Sequence, residues 1–231
     1  RFNTQHTSAL GIELFGHPLL ISQDPNSKHV GTTVWDSSVV FAKFLEKNCN
    51  RGQLNGVQMA GKRAIELGAG CGVAGLAMAL MGCNVVLTDQ VEVLPLLLKN
   101  VERNVARIKL ASVTSTSESV GNVSVAELDW GNSCHIAALE PPFDFIIGTD
   151  VVYAAQHLEP LLTTILSLCG PRATVVLAYE FRSPELTERL QAMCKEHFEI
   201  KTISKKKMDA CFQHPNIQLL VMSRRRLHNT A

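Results

Sequence analysis

Apolar residues along this chain fall into short unbroken runs and longer runs at helical spacing, and the two kinds alternate from about position 63 to position 196. Ala64-Ile65-Glu66-Leu67 predicts a buried strand, Gly68-Ala69-Gly70-Cys71-Gly72 breaks it, and 73–81 has the length and composition of a packed helix. After Gly82 the run Val85-Val86-Leu87-Thr88 predicts a second strand that stops at Asp89. A helix follows over about 92–105, with Pro95 tolerated in its first turn. Further strands are predicted at 123–128, 143–147 and 173–179, with helices at 156–169 and 184–196. The runs at 198–203 and 217–223 have no helix-length segment between them, which predicts an antiparallel hairpin. Upstream, Ile12-Glu13-Leu14 and Leu19-Leu20-Ile21 flank Gly16-His17-Pro18 as a hairpin-like lead-in. A helix is predicted from Thr33, with Val39, Val40, Phe44 and Leu45 on its apolar side and Lys43, Glu46 and Lys47 on its wet one. The Ser/Thr-rich stretch 110–122 reads as weakly structured. The expected fold is α/β: a Rossmann-like, mostly parallel sheet closed by a C-terminal antiparallel hairpin, with helices on both faces. One domain is expected over 1–231, with 1–33 as lead-in and 34–231 as cofactor-binding core.

The unit from Arg63 to Asp89 carries the chemistry. Glycines let the backbone turn sharply and approach a ligand without a Cβ in the way, and an acid at the end of the next strand can accept both hydroxyls of a ribose. An adenosine-containing cofactor is therefore expected. The spacing Gly70-x-Gly72-x-x-Gly75 also satisfies the dinucleotide fingerprint. Glu66 favours a different ligand, because an acid at the strand tip that faces the site suits the ammonium end of S-adenosylmethionine and suits a pyrophosphate poorly. A tight strand-to-helix turn with no ligand is the alternative.

Composition narrows the classes further. A net charge of +1 argues against a dedicated nucleic-acid binder, and the runs Lys205-Lys206-Lys207 and Arg224-Arg225-Arg226 read first as solvated loops or strand ends. The seven cysteines are odd in number and form no CxxC, as expected of reduced thiols, and no metal-ligand set stands out. Neither a signal-peptide pattern nor an apolar span of membrane length appears, so an intracellular, soluble protein is expected.

Several short segments, taken in order, resemble one family. Glu66-Leu-Gly-Ala-Gly-Cys-Gly72 looks like a cofactor loop, Val34-Trp35-Asp36-Ser37-Ser38 like a tryptophan element ahead of the core, and Leu128-Asp-Trp-Gly131 like an adenine-side element. Asp150-Val-Val-Tyr153 looks like an acid-x-x-tyrosine signature, and Tyr179-Glu-Phe-Arg182 like the end of the fifth strand. Over about 34–224 the chain resembles the seven-strand, S-adenosylmethionine-dependent methyltransferases, in the branch of methyltransferase-like protein-lysine methyltransferases. Within that branch it is similar to members that modify the valosin-containing ATPase or Hsp70-type chaperones. The resemblance implies cofactor contacts from Trp35, Glu66, Gly68, Ala69, Gly70 and Asp89, with Trp130 and Thr149 completing the set. It implies a catalytic group of Asp150, Tyr153 and Glu180, with Tyr179 helping to wall a lysine channel. S-adenosylmethionine would be the cofactor and S-adenosylhomocysteine the product. The partner would be a folded protein, an ATPase or a chaperone, with no nucleic acid and no membrane, met by a monomer in the cytoplasm and also the nucleus.

Other readings of the residues stay open. Trp130 and Trp35 suit core positions as well as ligand walls, and Asp150 suits a cap for the segment after Val151. A small-molecule amine methyltransferase, a non-catalytic cofactor-binding module and a nicotinamide oxidoreductase would share parts of the pattern. The short lead-in before Val34 favours a mouth open to a folded protein over a lidded small-molecule site.

Overall fold

A computed structural model of the chain describes residues 6–52, 54–112 and 120–225. It opens with an antiparallel hairpin, β1 (Ala9–Leu14) and β2 (His17–Ser22), then α1 (Asp36–Asn48) and the short α2 (Gly56–Met59). The alternating region follows: β3 (Arg63–Leu67), α3 (Val73–Leu80), β4 (Asn84–Asp89), α4 (Leu94–Ser112), β5 (Val123–Glu127), α5 (Ser133–Ala138), β6 (Phe143–Thr149) and α6 (Leu158–Leu168). The chain ends in β7 (Cys169–Glu180), α7 (Pro184–Lys195), β8 (Phe198–Thr202) and β9 (Ile217–Arg224).

One seven-stranded sheet has the order β5-β4-β3-β6-β7-β9-β8. Five strands are parallel, and β9 runs antiparallel between β7 and β8. The expected terminal hairpin therefore enters the sheet through its second strand. The strand order reverses direction between β3 and β6, and open α/β sheets bind ligands beyond the carboxyl ends of the strands at such a switch.

Both faces of the sheet are covered, which is why its strands read as apolar runs. Side chains alternate between the faces: Ala64, Val85, Leu87 and Ile147 join a core with α1, α3, α4 and the hairpin, while Ile65, Leu67, Ile146 and Leu177 join one with α5, α6 and α7. α3 is buried at every position, so it is apolar on all sides rather than amphipathic.

Three boundaries differ from the sequence reading. α1 starts at Asp36, because Val34 is held extended by donating its N–H to Gln23 Oε1 at 2.7 Å. α4 runs on to Ser112, through the first part of the stretch read as weakly structured; 113–119 lie outside the described residues. β7 begins at Cys169, where a helix was expected to persist. The basic run ending at Arg226 passes beyond the described residues.

Candidate active site

Beyond the carboxyl ends of β3, β4 and β6 lies a cavity of about 470 Å³. Its floor is the loop from Gly68 to Gly72. Gly70 has φ 55°, and a Cβ there would sit 2.9 Å from the Gly31 carbonyl oxygen, so both the turn and the approach of the lead-in require glycine. Asp89 orients the loop: its Oδ2 accepts the Gly70 N–H at 2.7 Å and its Oδ1 accepts the Gln90 N–H at 2.8 Å. Burial pushes the Asp89 carboxyl up, and those two N–H donors with the nearby His29 pull it back. The carboxylate lines the cavity at the place expected for a ribose.

Gly68, Ala69, Gly70, Asp89, Trp35, Trp130 and Thr149 all line this cavity, as the sequence reading expected of cofactor contacts. Glu66 does not. Its side chain is wholly buried on the Ala64 face of β3, beneath the loop, and its Oε2 accepts the Gly75 N–H of α3 at 2.7 Å. A Cβ on Gly75 would meet both that oxygen and Leu87 Cγ at 2.6 Å, so only glycine fits between the Glu66 carboxyl and β4. Burial raises the Glu66 pKa from 4.5 to about 8, against the pull of the Gly75 N–H, and its Oε1 has no hydrogen-bond partner among the described residues. The inference that Glu66 faces a ligand is thus corrected: it braces the loop from behind. Strand alternation carried part of that signal: Ile65 and Leu67 share the face under α5, α6 and α7, so Glu66 between them points to the α3 face with Ala64.

Asp150 sits in the left-handed region at φ 57°, just past β6. Its Oδ1 accepts the Glu180 N–H at 3.1 Å and its Oδ2 the Ser37 N–H at 3.3 Å. Trp35 at the α1 N-cap makes no side-chain cap, so Asp150 caps α1 from across the site rather than the segment after Val151. Burial pushes the Asp150 carboxyl up, while the Glu180 and Ser37 N–H groups and the Arg182 guanidinium pull it down. Asp150, Val34 and Trp35 border both the large cavity and a small one of about 30 Å³ that Glu180 and His214 also line. Tyr153 is 40% exposed at the rim of the large cavity, its ring 5.1 Å from that of His157. Glu180 reaches only the small cavity. Tyr179 does not wall either one: it is buried on the α7 face of the sheet, with its hydroxyl 3.4 Å from Gln218 Oε1.

The sequence reading missed the near wall. Lys28, His29, Val30 and Gly31 line the cavity, and the Val30 carbonyl accepts the Trp35 indole N–H at 2.8 Å. His157 adds its ring edge-on to Trp130, 6.3 Å between centres. Nothing in the local pattern around these residues marks them as site residues, because distant packing puts them there. On the outer side of Trp130, Glu127, Asp129 and His135 bring ligand-type atoms within 4.8 Å of one another, but His135 Nδ1 already accepts the Asp129 N–H at 3.1 Å.

The pattern that defines a family described as lysine methyltransferase matches residues 14–196. The chain belongs to the lysine methyltransferase family. A protein N-lysine methyltransferase, METTL21A of Danio rerio, is 32% identical over 198 residues, covering 86% of this chain and 82% of that protein. EEF1A lysine methyltransferase 3 of Mus musculus is 32% identical over 188 residues, covering 80% and 72%. Among solved structures, the T. thermophilus 16S rRNA N2 G1207 methyltransferase RsmC, in complex with AdoMet and guanosine, superposes with a TM-score of 0.61 at 18% identity, over 94% of this chain and 50% of that one. Fibrillarin in its Nop5p complex gives 0.57 at 15% identity, over 90% and 94%. These two likenesses show the fold. The cofactor of this lysine methyltransferase is S-adenosylmethionine. The cavity fits it: an oriented carboxylate for a ribose, an apolar wall at Trp130 and Leu128, and a glycine loop whose closest approaches leave no room for side chains.

Proposed function

We propose that the large cavity holds the cofactor, with Asp89 on its ribose and Trp130 beside its adenine, and that Asp150, Tyr153 and Glu180 receive the ε-amine of a lysine on a folded protein. The observation that carries this reading is that the two cavities meet at Asp150 and Trp35. Transfer between two substrates needs two binding spaces with one point of contact. Bound S-adenosylmethionine supplies a sulfonium methyl group, whose carbon joins the amine nitrogen as the C–S electron pair returns to sulfur. The chain's own work is to align the amine and exclude water. Asp150 is held rigidly by two backbone N–H groups, so it fixes the direction of approach. Tyr153 and His157 form a partly exposed wall along which an aliphatic lysine stem can lie.

Within this proposal the substrate is an ATPase or an Hsp70-type chaperone, the classes modified by the methyltransferases that the sequence motifs resemble. One relative is named for the lysine methylation of EEF1A, which supports a protein acceptor. The net charge of +1 supports action without nucleic acid. The enzyme acts as a monomer in the cytoplasm and the nucleus, with its lead-in and core as one unit. Incubation with isotopically labelled S-adenosylmethionine and a cell extract, followed by identification of the labelled residue, tests the reading. Label on a protein lysine supports it, and label confined to small molecules or RNA rejects it.

A further inference from the structure

Two carboxylates beside a lysine pose a difficulty for the chemistry. The amine arrives as an ammonium with an ordinary pKa near ~10.4, and nearby negative charge holds that proton in place. Only the neutral amine has a lone pair to attack the methyl carbon.

A counter-charge stands at this point. Arg182, two residues past β7, carries a guanidinium nitrogen 4.0 Å from Asp150 Oδ1 and 3.8 Å from Glu180 Oε2. Its Cζ lies 5.1 Å from the centre of the Trp35 ring, and that ring is itself pinned through its indole N–H to the Val30 carbonyl. Arg182 also lines the large cavity alongside Asp150. The guanidinium therefore sits where both acids and the junction of the two cavities come together.

We propose that Arg182 is the positioning residue of the transfer site: it neutralises the Asp150 and Glu180 pair, so that these carboxylates orient the incoming lysine without holding it as an ammonium. The inference rests on the reading of the cavity given above. The proton leaves the amine for a solvent base before the C–N bond forms, and no side chain has to retain it. The titratable groups around the two cavities that meet here are Asp150, Glu180, Asp36 and His214 at the small one, and Tyr153, His157, Asp89, Cys71, Lys28 and His29 at the large one. Among them Arg182 is the cation within 4.0 Å of both acids. A lysine in its place presents one compact charge and cannot both stack on an indole and span two carboxylates.

The test has two arms. Carbon-13 NMR titration of the Asp150 carboxyl, on the protein alone, should show its midpoint rising by about one pH unit in Arg182→Gln relative to the parent. The pH profile of kcat for the acceptor protein identified by labelling should show its acid limb moving upward by about one unit in Arg182→Gln, and by less in Arg182→Lys. Turnover in Arg182→Gln should approach that of the parent near pH ~10, where the amine is largely neutral without help. A purely structural role would lower turnover at every pH and leave the limb in place. A carboxyl midpoint that does not rise, or a limb that does not move upward, overturns the inference. A parent that labels no protein lysine would instead strike the functional reading, and the carboxyl titration would still decide whether Arg182 neutralises Asp150.

Discussion

At the scale of single residues, three acids that look alike in the sequence do three different jobs. Asp89 is oriented by two N–H donors and faces the cavity, so Asp89→Ala should weaken S-adenosylhomocysteine binding by roughly 1.5–3 kcal/mol, the range for a hydrogen bond to a charged group. Isothermal calorimetry measures this directly, and an unchanged affinity would reject the ribose role. Glu66 is wholly buried, and its pKa of about 8 lies above the ordinary 4.5. Between those values the native state keeps a proton that the unfolded chain has lost. Its contribution to stability is therefore full below about 4.5 and falls as pH rises toward about 8, by up to ~1.4 kcal/mol per pH unit. In Glu66→Gln this slope should vanish, so Tm measured from pH ~5 to pH ~8.5 should move in favour of the variant as pH rises. Asp150 holds both Ser37 and Glu180 by their N–H groups. Asp150→Asn keeps one carbonyl oxygen for that work but turns an amide group toward the other donor. A stability loss of about 1–3 kcal/mol is expected, the cost of leaving one donor without its partner, with cofactor affinity largely kept and methyl transfer mostly lost. Near-parental turnover of the Asn variant would reduce Asp150 to a helix cap.

At the scale of elements, the lead-in hairpin is held by a helix acting as a substitute strand. Asn104 of α4 accepts the Leu20 N–H through Oδ1 and donates to the Leu20 carbonyl, and Asn100 does the same for Ser22 while also donating to the Cys71 carbonyl of the cofactor loop. Both asparagines are fully buried. Asn100→Leu should cost about 1–3 kcal/mol in urea denaturation, because buried backbone groups lose their partners. The same elements show what the sequence made legible. Strands buried on both faces give unbroken apolar runs, so the seven-stranded order of helix and strand was readable from the pattern. The six-residue α5 and the four-residue α2 were not, since a single turn has no period to detect. The extension of α4 to Ser112 was hidden by its Ala111-Ser112 ending, which opens the Ser/Thr-rich stretch. That residues at strand ends, such as Asp89, Thr149 and Asp150, line the cavity was readable because the fold class alone places them there. The wall at Lys28–Gly31, the guanidinium of Arg182 and the inward turn of Tyr179 depend on packing between segments far apart in sequence, and no local pattern encodes that.

At the scale of the whole molecule, the rim charges bear on how a protein partner arrives. Lys205 donates to the carbonyls of His214 and Ile217, so it holds its own loop together, whereas Lys206 and Lys207 are exposed and are engaged through their backbones: their carbonyls accept from Lys47 and Asn48, and the Lys207 N–H donates to the Ser204 carbonyl. Replacing Lys206 and Lys207 with serine should keep the fold and the cofactor affinity while reducing the loss of methylation rate at high salt, as expected of rim charges that speed association. Stopped mixing at several ionic strengths with the labelled acceptor would show it, and an unchanged salt dependence would return the run to a solvated loop. The hairpin reaches further than its own stability. It carries the segment that walls the large cavity at Val30 and Gly31, and Asn100 ties it to the loop on the opposite side of the same cavity. Amide exchange from Leu20 to Val34 should accordingly slow when S-adenosylhomocysteine is added. Docking of the segment 9–31 and binding of the nucleoside are thus two sides of a single linked equilibrium: by whatever factor the seated segment tightens the ligand, the ligand tightens the seating of the segment in return.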